Sequence, residues 1–105
     1  MDDILAEDME NIFLFDFGQN VLIQSGGAER GARGVIEPGV QRLVDDRYIQ
    51  AAYEITVAAA ERLQADDLVL ALDDDGVVVG RYRVGMLLER DTVSRIYQLQ
   101  RDQLP

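Results

Sequence analysis

Carboxylates are the groups with which this chain would do chemistry. Asp45-Asp46, Asp66-Asp67 and Asp73-Asp74-Asp75 each place acids side by side, and paired carboxylates perform acid–base work when burial drives their pKa values apart. Nothing around the first two pairs predicts burial, so both are expected as solvated turn acids. The Asp73 run leads into Gly76 and so suggests calcium. An EF-hand loop takes oxygen ligands at positions 1, 3, 5 and 12, with glycine at 6. Placing Gly76 at the glycine position puts Ala71 first and Tyr82 last, and both fail. An acidic hairpin turn is the better account, because Asp and Gly favour such turns conformationally.

A second chemical candidate is the glycine-rich stretch Ser25 to Gly34. From Gly26 to Gly31 the spacing fits G-x-x-x-x-G, but Ala32 and Arg33 stand where a phosphate loop needs Lys and Ser or Thr. Lacking both, the stretch has no grip on a nucleotide. It is expected as a mobile loop over 25–34, or as an interaction loop whose Arg30 and Arg33 reach acidic groups on a partner. Asp16-Phe17-Gly18 spells a kinase tripeptide, in a chain far too short for a kinase domain.

Composition excludes more than the motifs do. The 105 residues contain no Cys, no His and no Lys, and all ten bases are Arg. Thiolate zinc sites, Cys nucleophiles, imidazole bases and Schiff-base lysines are thereby excluded. The expectation is a protein that is not an enzyme, with no catalytic residues, no cofactor and no metal. Twenty acids against ten bases give a formal charge of −10. Such a surface repels phosphate backbones, so specific nucleic-acid binding is not expected. With 48% hydrophobic residues the chain is nevertheless too apolar to be a disordered acidic tail. Exclusive use of Arg suits protein interfaces, where Arg is enriched and Lys depleted. A GC-rich genome that favours Arg codons gives the same composition, and both readings stand. On the first of them Arg30, Arg33, Arg42 and Arg47 are the protein-interface candidates.

These groups must be positioned by one domain, 1–105, since the length leaves no room for a second core. Residues 3–15 read as an amphipathic helix, with Ile4, Leu5, Met9, Ile12 and Phe13 on one stripe and acids opposite. A β-rich body follows over 19–100. Val21 to Gln24 is β-prone, and Val35-Ile36-Glu37 resumes the strand before Pro38-Gly39 punctuates it. Ile49 to Val57 alternates cleanly, and Ala58 to Leu63 reads as one helical turn. Leu68 to Leu72 is a strand. Val78, Tyr82, Val84, Met86 and Leu88 share one face of another, and Val93 to Gln100 is the last. The fold class expected is α+β, mainly β: a small antiparallel curled sheet or barrel of five or six strands, with one N-terminal amphipathic helix. No apolar run approaches a membrane span, and the Met-Asp-Asp start has no secretory character, so a protein working where it is made, with no membrane partner, is expected.

The order of elements carries a resemblance. Tyr53-Glu54-Ile55-Thr56-Val57 is followed by Ala60 to Leu63, Asp67 opening the next strand, the acidic turn, Tyr82-Arg83-Val84 and Ile96-Tyr97-Gln98-Leu99. This pattern resembles the small head–tail joining proteins of long-tailed phages, the lambda-type attachment proteins and their prophage relatives. It spans nearly the whole chain and rests on pattern rather than on a catalytic motif. The resemblance implies a structural connector, a head–tail attachment, head-closure or tail-completion protein, in the cytoplasm of the host before assembly and at the virion neck after it. Portal, neck and tail proteins are the implied partners. The free chain would be monomeric and would form a homo-oligomeric ring through which DNA passes. Some relatives carry the label "ATP-binding sugar transporter-like", which the failed phosphate loop argues against here. A different class is a small acidic phage-encoded inhibitor that mimics DNA. Mimicry needs carboxylates spaced like phosphates along one face, whereas these acids cluster at turns and are interrupted by Arg.

Overall fold

The computed structural model describes residues 18–102; the helix expected over 3–15 lies outside them. Eight strands follow one another: β1 (Gln19–Ser25), β2 (Ala28–Pro38), β3 (Gln41–Val44), β4 (Arg47–Gln50), β5 (Tyr53–Ala58), β6 (Leu68–Leu72), β7 (Val78–Arg90) and β8 (Ser94–Arg101). Six of them close into an antiparallel barrel in the order β1-β2-β5-β8-β7-β6, and β3 pairs only with β4 in a separate two-stranded sheet. Closure leaves the barrel no free edge. The mainly β expectation holds as a closed barrel.

Alternation builds the core. Val21 and Ile23 of β1, Ile55 and Val57 of β5, Val69 and Ala71 of β6, and Tyr97 and Leu99 of β8 point inward and are buried together. Each fully buried aliphatic side chain contributes about 1.5–3 kcal/mol relative to exposure. Tyr53 meets Tyr82 edge to face, with ring centroids 5.4 Å apart. Leu63 is buried with them, its N–H donating to the Tyr97 hydroxyl at 3.2 Å.

The mobile loop expected over 25–34 is instead part of a hairpin. β1 and β2 pair from Gln19–Gly34 to Ser25–Ala28, leaving only Gly26 and Gly27 as the turn. Both take positive φ, +57° and +86°, the conformation of a type I′ hairpin turn. The glycines that argued against a strand have other uses. Gly34 faces inward, where a Cβ would lie 2.9 Å from the Ile55 side chain. Gly31 faces open space. The helical turn expected over Ala58 to Leu63 is also corrected: a single turn, closed by the Glu61 N–H on the Ala58 carbonyl at 2.9 Å, leads into an irregular crossing to β6.

Two further readings change. The run Ile49 to Val57 is broken at Ala51-Ala52 into β4 and β5. The single face expected along β7 holds at Tyr82 and Val84; Leu88 is buried but outside the barrel core cluster, and Val78 and Met86 are exposed. Irregularities in the β7–β8 register on either side of Leu87 turn that residue onto the core. Such bulges add a residue to one strand and shift the side-chain parity beyond it.

Candidate functional site

The described strands outside the barrel are those of the β3–β4 hairpin, inserted between neighbouring barrel strands β2 and β5. Its base is tight. The Gly39 N–H donates to the Ala52 carbonyl at 3.1 Å, and a Cβ on Gly39 would fall 2.0 Å from the Ala51 oxygen. Only glycine fits that approach. Its tip is Asp45-Asp46, both at positive φ (+50° and +64°), a conformation Asp tolerates better than most side chains. The pairs Gln41–Gln50, Arg42–Ile49, Leu43–Tyr48 and Val44–Arg47 fix the register.

Directly opposed residues share a face, so this register divides the hairpin in two. On one face Arg42, Val44 and Ile49 are half-buried. Arg42 grips Glu54 of β5 with two hydrogen bonds, Nε to Oε2 at 3.0 Å and Nη2 to Oε1 at 2.6 Å, and its Nη1 donates to Glu89 of β7. Glu54 lies between the inward-facing Tyr53 and Ile55, so it points out of the barrel, yet it is only 7% exposed. The hydrogen bonds from Arg42 hold the Glu54 carboxyl below its ordinary pKa, against the opposing effect of burial, with charge attraction and the Val40 amide acting in the same direction. Arg42 is correspondingly raised, first by the Glu54 hydrogen bonds.

The other face is bare. Leu43 is 61% exposed and Tyr48 73%. Gln41 and Gln50 flank the pair and are exposed too. A two-stranded hairpin has little stability of its own in water. Here it is held by the glycine at its base and the arginine on its inner face.

The four arginine candidates are scattered and mostly engaged within the molecule. Arg30 pairs with Glu61 at 3.2 Å and donates to the Arg62 carbonyl. Arg33 donates to the Gly18 carbonyl at 2.6 Å and to Asn20. Arg42 is the hairpin clamp. Arg47 is exposed next to the Asp45-Asp46 tip. Arginine chemistry alone marked these residues. The exposed Leu43–Tyr48 pair escaped notice, although apolar residues on either side of an Asp-Asp turn were legible as a hairpin.

The acids divide as well. Asp45, Asp46, Asp66 and Asp73 to Asp75 are turn residues or next to turns, and Asp73 accepts from the amides of Asp75 and Val77 at 2.9 and 2.8 Å. Asp67 corrects the expectation of a solvated pair: it is 6% exposed, and its carboxylate accepts from the Gln64 N–H at 2.8 Å. It braces the crossing into β6. The recess at the Gly26-Gly27 turn is lined by Gln24, Ala28, Glu29, Asp66 and Leu68, so a phosphate there would meet two carboxylates and no cation. Among the described residues no group of three or more acids is placed to hold a metal ion, and no helix is long and apolar enough to cross a membrane. No protein-family model matches the sequence, and a search of curated proteins finds no match.

Proposed function

We propose that this chain is a structural connector of a tailed phage or prophage particle, joining the capsid portal or neck to the tail. Two things support the reading: the resemblance in element order, and the hairpin. The hairpin is the observation that carries it. A closed barrel has no edge to share, and this one holds out a clamped two-stranded arm whose outer face is an unburied Leu–Tyr pair. Exposed apolar surface of that kind marks a place of contact with another protein.

In this reading the charge of −10 keeps free subunits apart in the host cytoplasm. Ring formation waits for the portal or tail, and an acidic lumen lets DNA pass without sticking. Ordering of a loop at 25–34 has no part in it, since those residues belong to the barrel hairpin. The acidic-inhibitor alternative has less support. Asp45-Asp46, Asp66 and Asp73 to Asp75 sit at separate turns, and Arg30, Arg42, Arg81 and Arg83 pair with other carboxylates, Glu61, Glu54 and Asp102. Electron microscopy of particles made with the gene deleted tests the connector. Full heads and complete tails that stay unjoined support it; normal infectious particles overturn it.

A further inference from the structure

The outer face of the β3–β4 hairpin says what kind of surface it meets. Leu43 and Tyr48 oppose each other at its centre, with the Gln41–Gln50 amides at the base end and Asp45-Asp46 at the tip. The cations of the hairpin lie elsewhere: Arg42 is taken up by Glu54 and Glu89 on the inner face, and Arg47 shares that face with it through its pairing to Val44. The face is therefore an apolar pair with an acidic end. We propose that it docks into an apolar groove of a different protein, one that carries Arg or Lys where it receives the Asp45-Asp46 turn. This rests on the connector reading and adds the docking element and the chemistry of its partner.

A second copy of the chain fits poorly. The other exposed apolar run among the described residues is Val77 to Val79, and it adjoins Asp73-Asp74-Asp75. Docking the hairpin there would bring its acidic tip against an acidic turn, between two molecules each of charge −10. A basic-rimmed groove reverses that sign. The clamp at Arg42 also sets the hairpin in place before contact, so little ordering is required on binding.

The test uses DNA-filled heads and tails from the deletion strain, mixed with purified protein and scored for joined particles. Wild-type protein restores joining, and Leu43→Ser/Tyr48→Ser reduces it about tenfold or more, as loss of a central aromatic anchor does. Asp45→Asn/Asp46→Asn, which keeps residues tolerant of positive φ, slows joining several-fold (about 3–5) at low salt and less at high salt. Val79→Ser joins like wild type. Tyr48→p-benzoylphenylalanine, irradiated in the joined particle, cross-links to an Arg- or Lys-bearing peptide of another protein. Amide exchange at 41–50 confirms that each variant keeps its hairpin. Wild-type joining by the Leu43/Tyr48 variant, or cross-linking only to a second copy, overturns the docking inference and leaves the connector reading in place. Failure of wild-type protein to restore joining removes both.

Discussion

Arg42 and Glu54 meet through two parallel hydrogen bonds, at 3.0 and 2.6 Å, between the inner face of the hairpin and the outer wall of the barrel. Removing one partner of such a pair leaves the other charged and half-desolvated. Arg42→Ala is expected to destabilise the protein by roughly 3 kcal/mol, and Arg42→Lys to recover only part of this because it loses the two-pronged geometry. Urea unfolding measures the loss. Amide exchange localises it: protection at 41–50 collapses before that of the barrel. A change under about 0.5 kcal/mol, the range of ordinary surface substitutions, would mean that the hairpin is held by something else.

The same pair gives stability a pH dependence of known sign. Glu54 is held below the ordinary glutamate value of 4.5 in the folded protein, first by the Arg42 hydrogen bonds. Its contribution is complete above that value and is lost as pH falls from there through the depressed folded pKa. Asp91, lowered by the amides of Val93 and Ser94, acts in the same direction beneath 3.8. Urea midpoints measured from neutral pH downward should therefore hold until about pH 5 and then drop. In Glu54→Gln the drop is smaller, because only Asp91 remains of the two. An identical slope in wild type and variant would refute the assignment.

Alternation made most of the barrel legible. Val21 to Gln24, Leu68 to Leu72 and Val93 to Gln100 are strands within a residue or two of where periodicity placed them, since a wall with one buried face enforces period two. The glycine-rich stretch misled because composition does not say which glycine turns and which makes room: Gly26 and Gly27 turn, and Gly34 admits Ile55. The bulged end of β7 was hidden because parity shifts there without any sequence mark. At the site, Arg42 was picked out by residue type, but its partners lie twelve and forty-seven residues away. Only the three-dimensional register turns it from an interface candidate into a clamp.

Glycine substitutions should separate these roles. At Gly39 a Cβ has no space against the Ala51 carbonyl, so Gly39→Ala must move backbone and is expected to cost about 1–3 kcal/mol. At Gly31, a strand position open to solvent, Gly31→Thr should be neutral or stabilising by up to about 1 kcal/mol. Thermal melts of the two variants, side by side, check the contrast.

The Tyr97 hydroxyl accepts from the Leu63 N–H within the buried core. Tyr97→Phe keeps the ring and the volume but strands that buried donor, for an expected loss of about 1–2 kcal/mol. Chemical denaturation gives the number. Exchange of the Leu63 amide should speed up by more than its neighbours in β5, because the damage is confined to the crossing segment.

The tip of the hairpin sets local stability against the proposed docking. Asp45-Asp46 adopts left-handed φ at two successive non-glycine residues and places two carboxylates together, whereas Asn-Gly is the pair such a turn prefers. Asp45→Asn/Asp46→Gly is therefore expected to stabilise the hairpin by about 0.5–1 kcal/mol, read as slower amide exchange at 41–50. If the turn were chosen for stability alone, the variant would join heads and tails as well as wild type. If the carboxylates meet a basic rim, the more stable protein joins more slowly, and its rate depends less on salt.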